Sequence, residues 1–235
     1  MGDRREDAAS TNRAALRVAL VLGAVALAAI TLRAIAKAPA PVYRYVSHWR
    51  VLGPIDEVAA VLRDAERYPR WWPSVYLAVE PFTDEAGGER RRVCSRGFLP
   101  YAIEFVARVV DDRLPHGFTV EAEGEMQGRG DWLLIADGDW VDITYRWQVS
   151  GNKMLWRATS WALRPLFEAN HYWAMARGEE SLRLELARRR AKSDAARDAV
   201  PLPPPPVHGA SDVLAALAGA FRRRRAETAA SSASS

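Results

Sequence analysis

The side chains best suited to chemistry cluster in two stretches, and their common capability is moving a proton. Asn170 and His171 stand together in the final apolar-patterned segment, and Tyr145 and Arg146 sit side by side in a strand-like run; His116 and Tyr101 are more scattered. A histidine near its ordinary titration range can pass a proton to or from a carbonyl or hydroxyl, and a tyrosine or arginine can hold the oxygen while it does so. His171 leads this set because it shares a helical stripe with apolar residues. A lone histidine in that position is more often a packed core residue than a catalyst. Asn170 is open between a hydrogen bond to a ligand and a packing or capping role. No metal site is expected, since no set of Cys and His residues has metal-ligand spacing. No cofactor is expected either. Cys94 is the only cysteine, which excludes an intrachain disulfide and reads as a structural thiol in a strand.

Those residues are positioned by alternating strands and one long helix. Val141, Ile143, Tyr145, Trp147 and Val149 alternate with Asp142, Thr144, Arg146 and Gln148, and Tyr101, Ile103, Phe105, Ala107 and Val109 share one side of an earlier run. Phe118, Val120 and Ala122 alternate with Thr119, Glu121 and Glu123. Period two predicts an antiparallel sheet with one dry face. Gly128-Arg129-Gly130 reads as a break before the strand at 132–136. At the front, a strand from about residue 43 to 50 meets Gly53-Pro54, and Ile55, Val58, Ala59, Val61 and Leu62 then trace one helical stripe. At the back, Phe167, His171, Ala174, Met175, Gly178, Leu182 and Leu186 follow helical spacing over about 166–190. Strand, helix, run of strands and long final helix is an α+β order, with a curved antiparallel sheet wrapped around the last helix. Trp71 and Trp72, between Pro69 and Pro73, suit either a lid over an opening or packing onto the first helix.

The chain has 235 residues, 49% of them apolar, and a formal charge of +4. Its basic residues are gathered at 90–92, 188–190 and 222–225 without interleaved aromatics, which excludes a nucleic-acid stacking surface. The clusters at 90–92 and 188–190 read as solvated faces. The uncharged run 18–32 spans roughly 22 Å as a helix against a hydrocarbon core of about 30 Å, a deficit that snorkelling arginines would cover over 14–36. The leading expectation is a single-pass membrane anchor there, with a cleaved signal and an amphipathic helix as alternatives. Basic residues on both sides leave the orientation open, although the arginines at 222–225, following an apolar stripe, slightly favour a cytoplasmic domain beside an anionic surface. The organisation is then a disordered start (1–13), the anchor (14–36), a linker (37–42), a folded domain (43–192), a Pro-rich linker (193–210), a short basic amphipathic helix (211–225) and a disordered tail (226–235). Oligomeric state is not readable.

The order of elements, the segment Asp64-Ala65-Glu66-Arg67-Tyr68-Pro69-Arg70-Trp71-Trp72-Pro73 after the first helix, and the final helix bearing Asn170-His171-Tyr172-Trp173 resemble the START-like superfamily (SRPBCC), in particular its polyketide cyclase/dehydrase and lipid-transport types. The resemblance covers roughly residues 43–192. It implies the helix-grip fold and a cavity between sheet and final helix for a lipid, a polyketide or another hydrophobic ligand. On that reading Phe105, Val120, Ile143, Tyr145, Trp147, Phe167, Asn170, His171 and Met175 line the cavity. The expected function is a membrane-anchored carrier or sensor of that ligand, because no acid and base converge in the sequence. The alternative is a cyclase or dehydratase with His171 as proton carrier.

Overall fold

A computed structural model describes residues 42–151 and 154–207 together with Gly23, Ala26, Arg33 and Gly219, side chains in 151–162 excepted. Its strands are β1 (Val42–Leu52), β2 (Tyr76–Thr83), β3 (Glu89–Ser95), β4 (Ile103–Asp112), β5 (Gly117–Gly124), β6 (Met126–Asp137) and β7 (Trp140–Gly151). Its helices are α1 (Ile55–Arg63), the single turn α2 (Tyr68–Trp71), α3 (Met154–Arg190) and the short α4 (Asp194–Asp198). All strand pairings are antiparallel, in the order β1-β7-β6-β5-β4-β3-β2. The architecture is α+β, one seven-stranded sheet with a long helix across its inner face.

Strict alternation sets the inner face. In β1 Tyr43, Tyr45, Ser47, Trp49 and Val51 are buried while the residues between them are exposed. Register carries this across the sheet, since Ser47 faces Tyr145 and Trp49 faces Ile143 on β7, and Trp132 on β6 faces Tyr145 from the other side. Helix α1 buries Val58, Ala59, Val61 and Leu62 against that face, and α3 adds Leu182 and Leu186 to the same core. Pro81 lies within β2, where it is tolerated because β2 is the sheet edge and one missing donor costs no ladder bond.

Three expectations change. Gly128 and Gly130 do not break the sheet but lie inside β6, paired with both β5 and β7. Helix α3 begins at Met154, so Pro165 is inside it instead of before it. The segment after α4 is not detached: Arg188 donates to the Pro201 carbonyl at 2.8 Å, Arg96 donates to the Val207 carbonyl at 2.8 Å, and Val207 packs on the core.

The expected single-pass membrane localisation is corrected. Among the described residues no helix is long and apolar enough to cross a membrane; the longest, α3, carries charges at Arg164, Glu168, Arg177, Glu179, Glu180 and Arg183. The preference for one side of a bilayer falls with it. Apart from Gly23, Ala26 and Arg33, the 14–36 run lies outside the described residues, as does the 211–225 helix apart from Gly219.

Candidate functional site

Sheet and α3 do not close completely on each other. Between them is a cavity of about 220 Å³, bounded also by the α1–α2 turn and by the loop from β3 to β4. Of the residues expected to line it, Phe105, Val120, Tyr145 and Trp147 do so from the sheet, and Phe167, Asn170, His171 and Met175 from α3. Ile143 does not. It shares the face of Tyr145 but lies two residues further along β7, opposite Trp49, where it is 1% exposed in solid core. Arg146 points to the outer face, 3.9 Å from Asp131, and His116 sits in the turn between β4 and β5, bonded to Arg113 through its backbone. Tyr101 lines the cavity, and burial raises its phenol to about 12.

The tyrosine and tryptophan walls depend on two glycines. A Cβ on Gly130 would stand 2.6 Å from the Tyr145 hydroxyl, and one on Gly128 would stand 3.0 Å from the Trp147 indole. Without side chains there, both rings lie flat across β6. Tyr145 stacks on Trp132 with centroids 4.1 Å apart and on Trp147 at 6.0 Å. The cavity wall on this side is therefore a sheet of aromatic rings supported by backbone.

His171 is held on both sides. Its ring stacks on Tyr45 at 4.3 Å, and its Nε2 lies 3.3 Å from the Ser47 hydroxyl, the direction of that hydrogen bond depending on the tautomer. Burial alone pushes its pKa down to about 3, so the ring is neutral at neutral pH. The surface it retains opens on the cavity. A neutral imidazole held at so low a pKa, with a serine as its hydrogen-bond partner, is a weak base and keeps one ring N–H as a hydrogen-bond donor. Asn170 turns elsewhere: its side-chain carbonyl accepts from the Leu99 amide at 3.2 Å and fits against Gly97, where a Cβ would come within 2.1 Å of it. It ties the β3–β4 loop to the closing helix.

Several lining groups were not anticipated. Arg91, read as part of a solvated basic run, turns inward with a side chain 15% exposed; β3 places alternate residues on the inner face, and Arg91 shares that face with Val93. Arg63, Arg96 and Arg108 also border the cavity, against a single carboxylate, Glu121. The inward parity of β3 was the signal that would have found Arg91. Trp71 and Trp72 are buried at 1% and 2%, which removes the lid reading. Trp72 nevertheless lines the cavity with Tyr68 and Tyr76. Burial raises Tyr76 and Tyr145 far above the ordinary phenol range, and for Tyr145 the neighbouring phenols of Tyr76 and Tyr68 add to it. Cys94 is likewise pushed up, first by burial and then by Glu104, which makes it a poor nucleophile. Among the described residues no group of three or more His, Cys, Asp or Glu side chains could hold a metal ion.

No protein-family model matches the chain, and no curated protein matches it in sequence. Solved structures do. The Zhui aromatase/cyclase from Streptomyces sp. R1128 superposes with a TM-score of 0.53 at 16% identity, over 63% of this chain and 96% of that one. TTHA0849 from Thermus thermophilus gives 0.49 at 14% identity, over 63% and 99%, and truncated norcoclaurine synthase from Thalictrum flavum gives 0.46 at 15%, over 64% and 96%. Identity this low carries the architecture and no activity. With its seven antiparallel strands, long closing helix and the superposition on the aromatase/cyclase, this chain has a helix-grip fold.

Proposed function

We propose that this domain binds a small, mainly apolar molecule in the cavity between sheet and closing helix, and holds it without transforming it. One observation carries this reading: the cavity is walled by stacked aromatic rings, and the histidine within it is kept neutral by burial and bonded to Ser47. An apolar site with a few fixed polar groups is built to bind. Proton transfer would need a partner to raise the basicity of His171, and among the described residues no carboxylate bonds to it. At about 220 Å³ the space falls below the roughly 300–1,000 Å³ of sites for drug-sized ligands, which favours one or two rings or a short chain over a full-length lipid.

A cyclase or dehydratase using the same cavity is the second reading. What favours it is the likeness in fold to a protein whose title names an aromatase/cyclase. Native mass spectrometry of the protein purified without denaturation separates the outcomes. The binding reading expects a small adduct released by organic extraction in unaltered form. Recovery of the bare chain alone, with no thermal shift against a panel of small aromatics, would overturn it. Release of a chemically altered molecule, lost in His171→Ala while binding persists, would transfer the case to the cyclase.

A further inference from the structure

The polar groups at one end of the cavity are almost all donors. Arg91 reaches Glu66 through Nη2 at 3.4 Å, a long contact for a charged pair, and Glu66 is itself 45% exposed. The Arg91 Nε is buried and has no hydrogen-bond partner among the described residues. Nearby, Tyr68 donates to the Leu62 carbonyl and packs on Tyr76 with ring centroids 4.7 Å apart. The hydroxyls of Tyr76 and Tyr145 make no hydrogen bond to any described residue, and both residues line the cavity.

The surrounding charges have different commitments. Arg63 is bonded to Asp112 at 2.9 Å and Arg108 to Glu121 at 2.7 Å. Arg96 donates to the Val207 carbonyl at 2.8 Å, and Arg108, like Arg91, has a buried Nε without a partner among the described residues; Arg91 stands out for its one long carboxylate contact and its 15% exposed side chain. A buried guanidinium nitrogen without an acceptor is costly, and so is a buried phenol left unpaired. The buried Arg91 Nε, with the Tyr76 and Tyr145 hydroxyls lining the same apolar space, is complementary to an acceptor that the described residues do not supply. A carboxylate offers two oxygens, accepts from both nitrogen and phenol donors, and complements the Arg91 charge.

We propose that the end of the cavity formed by Arg91, Tyr76 and Tyr145 takes the carboxylate of a small apolar acid, whose hydrocarbon part lies along the aromatic wall. This rests on the binding reading above and narrows its ligand to a monocarboxylic acid. The carboxylate takes the Arg91 Nε–H and the two phenol protons, leaving Glu66 on Nη2.

Calorimetric titration of the full chain at pH 7 with 2-naphthoate and 2-naphthamide, and with octanoate and octanamide, tests it. Each pair keeps its shape and differs in charge, and comparing the two pairs tells an aromatic body from an aliphatic one. In at least one pair the acid should bind about tenfold or more tightly, the effect of one charge-assisted hydrogen bond. Arg91→Gln should abolish that ratio, with a cooperative thermal transition showing that the variant is folded. Tyr76→Phe with Tyr145→Phe should reduce it, and this second variant serves if the first does not fold. Equal affinity of acid and amide would overturn the carboxylate assignment and leave the cavity reading standing. A ratio that survives Arg91→Gln would overturn the role of Arg91. If neither member of either pair bound, the cavity reading would fall and this inference with it.

Discussion

Replacing Gly178 by alanine sets two effects of opposite sign against each other. In the middle of α3, alanine is the better helix former by about 1 kcal/mol, so propensity alone predicts a more stable protein. The structure predicts the reverse. A Cβ on Gly178 would lie 2.3 Å from Trp72 Cζ2, 2.6 Å from Cε2 and 2.7 Å from Cη2. Carbon atoms rest about 3.5–4.0 Å apart, so ring and helix must separate by more than an ångström. Trp72 is 2% exposed and enclosed by Trp71, Trp49 and Tyr76 at centroid distances of 5.5, 5.6 and 5.1 Å, which leaves the indole nowhere to retreat except toward the cavity. Overpacking costs about 1–3 kcal/mol, and an overlap this deep belongs at the upper end; less the helical gain, the net loss is roughly 2 kcal/mol. For a chain of this size that lowers the melting temperature by about 4–8 °C. Calorimetry or circular dichroism of the two proteins in one buffer reads the shift. A melting temperature unchanged or raised would refute the claim that Trp72 and Gly178 brace the helix against the sheet.

Two further perturbations test the site's polar groups. Because burial holds the pKa of His171 at about 3 against roughly 6.5 in the unfolded chain, the unfolded state takes up a proton that the native state refuses. This contribution to stability is full above pH 6.5 and declines by about 1.4 kcal/mol per pH unit as pH falls toward 3. Urea midpoints at pH 7 and 5.5 should therefore separate for the natural protein and stay closer for His171→Gln; equal separation would remove His171 as the cause. Asn170→Ala deprives the Leu99 amide of its acceptor, a loss of about 1 kcal/mol, so hydrogen exchange at Leu99 should accelerate roughly fivefold. Unchanged exchange would show that the loop is held instead by Phe98 against Trp173.

What could be read from the sequence was what repeats. The alternation through Val141, Ile143, Tyr145, Trp147 and Val149 identifies the dry face because each inward residue is apolar and each neighbour polar, and the stripe through His171, Met175 and Leu182 marks the closing helix in the same way. Where a residue's role depends on a partner distant in the chain, periodicity is silent. Gly128 and Gly130 read as a break because glycine weakens a strand, but the reason for them is the ring lying across from β7. Arg91 read as solvated because it stands in a basic run, yet parity in β3 points it inward. Ile143 and Tyr145 share a face and a pattern, and only the packing tells core from cavity. Helix α3 starting before Pro165 escaped for a different reason: the apolar stripe that marks it begins only at Phe167, whereas α3 runs on both sides of Pro165.

The remaining question is what keeps the walls apart, since apolar side chains gain by packing on one another. Collapse would require the walls to move inward, and the walls are stiff. Tyr145 and Trp147 are laid back on a glycine-bearing strand, Trp132 is stacked behind Tyr145, and α3 is held by Trp72 seated on Gly178. Relaxing any one of them disturbs two others. The aromatic lattice therefore makes the cavity a property of the folded chain, formed before any ligand arrives, so a ligand that fills it recovers packing without having to create its own site. That pre-formed shape, more than any single polar group, is what makes binding the primary reading of this fold.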